Sequence, residues 1–351
     1  MLVDHEGDAP EHPHLPDVTV RSQHLAQALH EGVARRGGGP CGAARRCGAG
    51  HGPPPRGRVR TPTVAPARPR VKGGPGPGPC GRTRSGRPRR SAPLAGPRPL
   101  APTRGGRVGG PSGLLDEPGL ARLVRRTRRA VTGARRAGLR PLLVGGDCAV
   151  VLDALAALRD EHGRAGLLMA DGHEDAWPPR ASTTGEASDS ELGVALGLVP
   201  DPPRELREVG GVVAPSAVAL LGLRDRDELD AAGVATLAAV VGTSVGAAHV
   251  PDRPGALVRE ALQRLDAPAW RLHVDLDVQR TGAFPAVGYP QPGGLTWDQL
   301  TELAVTAWRS PGCAGASVAV YDPDLDPDRR SARRPVDVLG ELVGDPGAAG
   351  G

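Results

Sequence analysis

The segment GLLMADGHED, residues 166–175, decides the fold. Its first half is an uninterrupted apolar run, which reads as a strand buried on both faces of a sheet. Its second half holds three carboxylates and one imidazole. In open parallel sheets, ligands bind at the carboxyl ends of the strands. The segment therefore predicts a buried strand with a functional site directly after it.

Apolar runs of this kind alternate with segments of helical periodicity through the rest of the C-terminal part. Strands are predicted at residues 141–144, 166–170, 217–223, 270–276 and 316–320. Helices are predicted at residues 116–137, 149–161, 186–198, 254–265 and 296–309. The alternation predicts a three-layer α/β domain, residues 113–351, with a mainly parallel sheet covered on both faces.

Three of the predicted strands end in polar clusters: GGDC at 145–148, DGHED at 171–175 and HVDLD at 273–277. Side chains alternate along a strand, so Asp275 and Asp277 project to one side. Asp171, His173 and Asp175 do the same if the strand geometry persists. A single cluster of this kind is commonly a solvated pair of carboxylates or a helix cap, but three at strand ends favour one shared site.

Carboxylates that converge in this way repel one another unless cations neutralise them. An oxygen-rich set of ligands with a single imidazole suits manganese or magnesium better than zinc. The sequence therefore predicts a divalent metal site at this edge of the sheet.

The three clusters, in this order, resemble the GGDH, DAHxD and DxD signatures of the arginase/agmatinase (ureohydrolase) family. GLRDRD at 222–227 is similar to a further family stretch, and so is PGGL at 292–295. The resemblance covers roughly residues 113–330. It implies an α/β/α sandwich with two manganese ions, whose bridging hydroxide attacks a guanidinium carbon and releases urea. Family members commonly assemble as trimers or hexamers, which implies a homo-oligomer.

The resemblance also implies the ligands of each metal. Asp171 and Asp275 would bridge both ions, His173 and Asp277 would complete one site, and Asp175 with Cys148 would complete the other. Asp175 and Asp277 are also expected to act in catalysis. Two cations would lower the pKa of a shared water enough for hydroxide to exist at neutral pH.

Cys148 stands where the family signature has histidine. Three interpretations remain open for it. A thiolate ligand would suit zinc or iron better than manganese. A nucleophile at a helix N-terminus is the second interpretation, although no base for it is evident. The third is a small buried residue that packs where a ligand once was.

The substrate residues of the family also differ in this chain. Val320 stands at the position of the glutamate that pairs with the substrate guanidinium, and Thr184 at that of a histidine that shuttles protons. Asp225 and Asp227 match a loop that contacts the amino group of arginine in arginases, although turn and helix-cap carboxylates would look the same. Thr184, Asp225 and Asp227 are the predicted substrate-binding residues.

The net charge of +5 over 351 residues conceals two different parts. Residues 35–112 contain 18 Lys and Arg, 19 Gly, 16 Pro and no Asp or Glu. The other residues hold 26 basic and 39 acidic side chains, a net charge of −13. A tract of this composition cannot bury enough apolar surface to fold. Residues 1–112 are therefore predicted to be disordered, and residues 113–351 to form the arginase-like hydrolase domain.

The basic tract, residues 35–112, has three interpretations. It is a disordered extension, an arm that binds nucleic acid through its charge, or an out-of-frame translation of GC-rich coding sequence. We favour the third, because every acid, every aromatic residue and all periodicity disappear together. If none of the other reading frames of this tract encodes periodic apolar strands, this interpretation is refuted. Cys41, Cys47 and His51 lack a second pair of ligands, so unpaired thiols are preferred over a zinc site.

The opening residues are acidic and contain no apolar run, so a secretory signal is not expected. We therefore expect a cytoplasmic protein. The longest uncharged stretch, residues 233–250, reads as a buried strand and loop rather than a membrane span.

Two functions follow as hypotheses. One is a metal-dependent hydrolase that cleaves a C–N bond of a small guanidino or amidino compound; the other is a catalytically inactive relative that binds metal or metabolite in a structural or regulatory role. Nucleic acid and membrane are not expected as partners.

Overall fold

A computed structural model of the chain describes residue 110, residues 112–200, residue 202 and residues 206–344. The predicted disorder of residues 1–112, apart from residues 110 and 112, lies outside these residues, as do Cys41, Cys47 and His51. The described residues nevertheless include nearly all of the predicted α/β domain.

The sheet has six strands, all parallel, in the order β1-β6-β5-β2-β3-β4. The strands are β1 Leu142–Val144, β2 Ala165–Ala170, β3 Val213–Leu223, β4 Thr243–Gly246, β5 Trp270–Asp275 and β6 Cys313–Ala319. The predicted parallel sheet is thereby confirmed, and β2 and β5, which carry two of the polar clusters, are neighbours.

Seven α-helices cover the sheet in the described part of the chain. They are α1 Glu117–Arg136, α2 Val150–His162, α3 Glu191–Ala195, α4 Arg226–Ala232, α5 Gly255–Arg264, α6 Trp297–Arg309 and α7 Arg333–Val343. Side-chain caps fix where some of them begin. In α6 the Thr296 hydroxyl accepts a hydrogen bond from the Gln299 N–H, and the Gln299 side chain accepts one from the Thr296 N–H, which is a capping box.

Each face of the sheet has its own hydrophobic core. In β2, Leu167 and Met169 pack with α1, α2 and α3, whereas Leu168 and Ala170 pack with α5, α6 and α7. This alternation is the two-residue period of a strand buried on both faces. The three-layer α/β/α sandwich predicted from the sequence is therefore confirmed.

The structure differs from the predicted elements where charge or glycine obscures the pattern. The helix predicted at 186–198 is a 3₁₀ turn, Ala187–Asp189, followed by the single-turn helix α3, because Gly197 adopts a φ of 75° that ends it. Helices α4 and α7 are rich in charged residues and were not predicted. Among the described residues, no helix is both long enough and apolar enough to cross a membrane.

Candidate metal centre

Three groups of potential metal ligands lie at the carboxyl edge of the sheet; two consist only of residues predicted as ligands, and the third combines Cys148, Asp171 and His273. Site A consists of Cys148, Asp171, Asp175 and Asp275, and site B of Asp171, His173 and Asp277. Within each site, one ligand atom per residue lies within 4.8 Å of the others. The structure thus brings together all six residues predicted as ligands. Asp171 belongs to both sites, whereas Asp275, which was also predicted to bridge them, belongs to site A alone.

The loop after β2 supplies three of these residues. The Asp171 Oδ1 accepts a hydrogen bond of 2.8 Å from the His173 N–H, which folds the chain back at the strand end. Asp175 adopts a φ of 46°, in the left-handed region. The intervening Glu174 points elsewhere, and its carboxylate accepts hydrogen bonds from the Leu237 N–H and the Thr236 hydroxyl. The loop therefore directs alternate side chains into the site.

The end of β5 supplies the partners. The Asp275 Oδ1 accepts a hydrogen bond of 2.7 Å from the Asp277 N–H in a short 3₁₀ turn. Asp277 then joins the two strand ends, since its Oδ1 accepts a bond of 3.1 Å from the Gly172 N–H. Its Oδ2 lies 2.9 Å from the His173 Nδ1. These contacts orient both sites before any ion is bound.

Glycine permits this close approach. Gly222, at the end of β3, has a φ of 111°. A Cβ there would lie 2.4 Å from the Val278 side chain and 2.9 Å from the Asp171 carbonyl oxygen, both well inside contact distance. The glycine of the GLRDRD stretch is therefore needed for β3 to pass beneath the two ligand-bearing turns.

Cys148 lies directly before α2 and is fully buried. Its thiol donates a hydrogen bond of 2.7 Å to the Asp275 Oδ2. Burial, followed by the charges of Asp275 and Glu191, raises the pKa of the thiol well above its usual range. Without a cation, Cys148 is therefore a neutral thiol rather than an activated nucleophile.

The carboxylates of the two sites are poorly neutralised by the protein. Burial and mutual repulsion raise the pKa values of Asp171, Asp175 and Asp275 well above the usual range. Burial alone would lower the pKa of His173, but the hydrogen bond and charge of Asp277 outweigh it and raise the pKa to about 9. One imidazolium and the nearby Arg224 guanidinium do not balance this many carboxylates, so divalent cations fit the site.

One oxygen in particular lacks a protein partner. The Asp171 Oδ2 is buried and accepts no hydrogen bond among the described residues. An unsatisfied carboxylate oxygen in the interior costs considerable free energy. Since Asp171 belongs to both sites, that oxygen is available to a cation, which agrees with the donor set.

A cavity of about 450 Å³ opens above the two sites. Eight carboxylate side chains line it, and no Lys or Arg does so among the described residues. His173, Asp175, Asp275 and Asp277 reach the cavity, whereas Cys148 and Asp171 do not. Cations held between these two groups would therefore form the floor of a strongly acidic pocket.

The predicted substrate residues fall into two groups. Thr184 lines the cavity, and its hydroxyl donates a hydrogen bond to the Asp189 carboxylate. Asp225 and Asp227 do not line it. Asp225 is buried and accepts a bond of 2.7 Å from the Glu174 N–H, which fixes the loop after β2, and Asp227 is exposed. The next residue, Glu228, lines the cavity instead.

Two groups near the sites were not predicted as functional residues. Glu191, at the start of α3, is fully buried, and its charge is the next cause after burial of the raised pKa of Asp175. Arg224 donates hydrogen bonds to the Asp277 and Val278 carbonyls and so holds the turn after β5. Glu191 had no sequence signal beyond its single carboxylate, whereas Arg224 belongs to the quoted GLRDRD stretch.

A sequence model described as the Arginase family matches residues 111–344 of the chain. The chain is 26% identical over 223 residues to the arginase of Bacillus caldovelox, which spans 62% of this chain and 72% of that protein. It is also 26% identical over 208 residues to the arginase of Bacillus subtilis, spanning 58% and 69% of the two chains.

The fold is likewise similar to that of solved arginase structures. The native structure of the Bacillus caldovelox arginase superposes with a TM-score of 0.58 at 23% identity and covers 69% of this chain and 82% of that one. The family match begins at residue 111, close to the predicted start of the folded domain at residue 113.

Proposed function

Since the chain belongs to the arginase family, we propose that it is a metal-dependent hydrolase that cleaves a C–N bond of a small guanidino or amidino compound. One observation carries this proposal: six potential metal ligands from three strand ends converge at the floor of one acidic cavity. Residues of this chain would bind the cations, orient the ligands and transfer protons during the reaction.

Manganese suits site B, because Asp171, His173 and Asp277 offer oxygen ligands and one imidazole. Two bound cations would supply Lewis-acid chemistry and activated water. His173 is held by the Asp277 carboxylate, so its ring faces the site in one orientation. Asp175 and Asp277 reach the cavity, where a carboxylate can accept a proton from attacking water and deliver it to the leaving nitrogen.

The cavity wall favours a cationic substrate. Glu186, Asp189, Glu228 and Asp322 line it above the metal sites, together with aromatic side chains such as Trp177. Carboxylates and aromatic faces both attract guanidinium groups. No described lining residue is a Lys or Arg that could pair with a substrate carboxylate. The proposed substrate is therefore a guanidino or amidino cation without a carboxylate, of which agmatine is an available example.

Urea release by the full-length, metal-loaded protein tests this proposal. With Mn²⁺ and Zn²⁺ supplied separately and together, we expect kcat/KM to be at least about tenfold higher for agmatine than for arginine, and lowest for 4-guanidinobutyrate. Asp275→Ala should abolish turnover because it removes a ligand of site A. The exposed Asp252→Ala provides the matched control and should leave turnover unchanged.

Three other outcomes would contradict the proposal at different levels. Bound metal with no turnover of any guanidino or amidino compound would favour the catalytically inactive relative. Fewer than one bound transition metal ion per chain would refute the metal centre itself. If arginine and agmatine were turned over equally, the proposed hydrolase activity would stand, but the proposed preference for substrates without a carboxylate would be refuted.

A further inference from the structure

His273 occupies an unusual place for an imidazole. It lies in the middle of β5, two residues before Asp275, and its side chain is fully buried. Its Nδ1 lies 2.7 Å from the Ser317 hydroxyl of the neighbouring strand β6. Its Nε2 is buried and has no hydrogen-bond partner among the described residues.

The free nitrogen belongs to a group that includes two residues of site A. A ligand atom of His273 lies within 4.8 Å of the Cys148 thiol sulfur and of an Asp171 carboxylate oxygen. Nδ1 is occupied by Ser317, so Nε2 is the nitrogen available to this group. Donors that lie about 2.0–2.3 Å from one cation are at most about 4.6 Å apart, so a separation within 4.8 Å needs only a shift of a few tenths of an ångström for the three residues to share one ion.

Two buried atoms of this group, the His273 Nε2 and the Asp171 Oδ2, lack partners. A buried nitrogen or oxygen without a partner destabilises the native state. A cation between them would satisfy both at once. The contact with Ser317 is the arrangement by which a second group commonly fixes the tautomer of a metal-binding histidine.

We propose that His273 binds a cation together with Cys148 and Asp171, the two members of site A with which it forms a group, and that its imidazole replaces the one that the family signature places at position 148. This inference rests on the metal centre of the proposed function. The donor set of site A then contains a thiolate, an imidazole and carboxylates, which suits Zn²⁺ rather than Mn²⁺. Site B keeps the oxygen-rich set that suits Mn²⁺. The two sites therefore bind different metals.

A nucleophile–base pair of Cys148 and His273 is the competing arrangement. Neither residue lines the cavity, so the thiol cannot reach a bound substrate. The thiol proton is also directed at Asp275 rather than at the imidazole. The geometry therefore assigns both side chains to a buried cation instead of to substrate.

Metal titration of the full-length, chelator-treated protein tests the assignment without measuring activity. Co²⁺ serves as the spectroscopic substitute for Zn²⁺, since a thiolate ligand produces a charge-transfer band. For His273→Ala we expect a Kd for Zn²⁺ and Co²⁺ raised at least about tenfold, with a weakened band and Mn²⁺ binding at site B changed less than twofold. His249→Ala, which removes an exposed histidine, is the matched control and should match the wild type.

A measurement on the wild type covers the case in which His273→Ala does not fold. In the Co²⁺-loaded protein with ¹⁵N-labelled histidine, two imidazole N–H resonances should be shifted by the paramagnetic ions, one from His173 and one from His273. A single shifted resonance, or an unchanged Kd in a folded His273→Ala protein, would overturn the assignment. Absence of any bound metal from the wild type would instead refute the centre on which it rests.

Discussion

Val320 combines an unusual backbone conformation with a position in the wall of the cavity. It follows β6, lines the cavity and adopts a φ of 61°. A β-branched residue in the left-handed region is a genuine outlier and costs on the order of 1–3 kcal/mol. The Val320 N–H donates a hydrogen bond to the Gly146 carbonyl, which ties β6 to the loop that carries Cys148. The strain is therefore held in place by the site.

Val320→Glu is expected to strengthen binding of a guanidino cation. The resemblance places a guanidinium-pairing glutamate at this position, and a charge-assisted bidentate pair contributes on the order of 1.5–3 kcal/mol. The KM for agmatine should fall by about tenfold or more, as measured by urea release. Val320→Gln is the control, because glutamine has the shape of glutamate without its charge. An equal effect of both substitutions would show that charge pairing is not responsible.

Helix α2, which begins at Val150, is unusual because it buries a carboxyl group. Asp153 is fully buried, and neither of its oxygens has a hydrogen-bond partner among the described residues. Burial raises the pKa of Asp153 to about 8, although the charge of Arg128 partly opposes the shift. The native state therefore keeps this carboxyl protonated at neutral pH, whereas the unfolded chain ionises it near pH 4.

Asp153→Asn should change the pH dependence of stability. Between pH 4 and 8 the native state binds the proton and the unfolded state does not, so the carboxyl destabilises the native state as pH rises, by up to about 1.4 kcal/mol per pH unit. We expect the free energy of unfolding of Asp153→Asn to exceed that of the wild type at pH 8 and the difference to vanish near pH 4. Urea denaturation at both pH values measures this.

Asp160→Asn on the same helix is the matched control, because its effect on the pH dependence of stability is expected to have the opposite sign. Burial raises the pKa of Asp160, but the hydrogen bonds and charges of Arg128 and Arg159 together outweigh burial and lower the pKa. Its stabilising contribution is present at neutral pH and is lost as pH falls through the lowered value. Parallel behaviour of the two variants would show that the pH dependence does not come from the buried carboxyl.

At the scale of the whole molecule, the acidic floor of the cavity couples metal binding to folding. The Asp171, Asp175 and Asp275 carboxylates and the Glu191 side chain are buried, with pKa values raised by burial and by one another. Raised carboxyl pKa values destabilise the native state progressively as pH rises above the unfolded values. A bound cation reverses this repulsion, so protons and metal compete for the same groups.

Removal of metal should therefore destabilise the protein more at pH 8 than at pH 5. An ion present at about 100 times its Kd stabilises the native state by about 2.7 kcal/mol, which shifts Tm by roughly 5–10 °C in a domain of this size. Scanning calorimetry with and without chelator measures the shift. Asp275→Ala should lose most of it, whereas the exposed Asp252→Ala should keep it. A shift that is larger at pH 5 would contradict the coupling.

The predicted strands and five of the six ligands follow from local patterns, whereas Cys148 was predicted from the family resemblance. Apolar runs such as residues 166–170 are buried on both faces whatever lies beside them, and Asp171, which follows β2, must lie at the carboxyl edge. Helices α4 and α7 were not predicted, because charged residues conceal a narrow apolar stripe. Asp225 was predicted as a substrate residue from a motif, but its hydrogen bond to the Glu174 N–H depends on the distance between two loops.

The sequence by itself determined the layered parallel sheet, the acidic character of its carboxyl edge and five candidate ligands, the carboxylates and the imidazole, since all three depend on residues close together in the chain. The sixth, Cys148, was predicted from the family resemblance. Only the tertiary structure decided that Asp275 groups with site A alone, that Cys148 lies below the cavity rather than in it, and that a ring nitrogen of His273 lies within 4.8 Å of the Cys148 and Asp171 ligand atoms. These relations join strands separated by more than a hundred residues, so packing of the sheet fixes them and no local pattern records them.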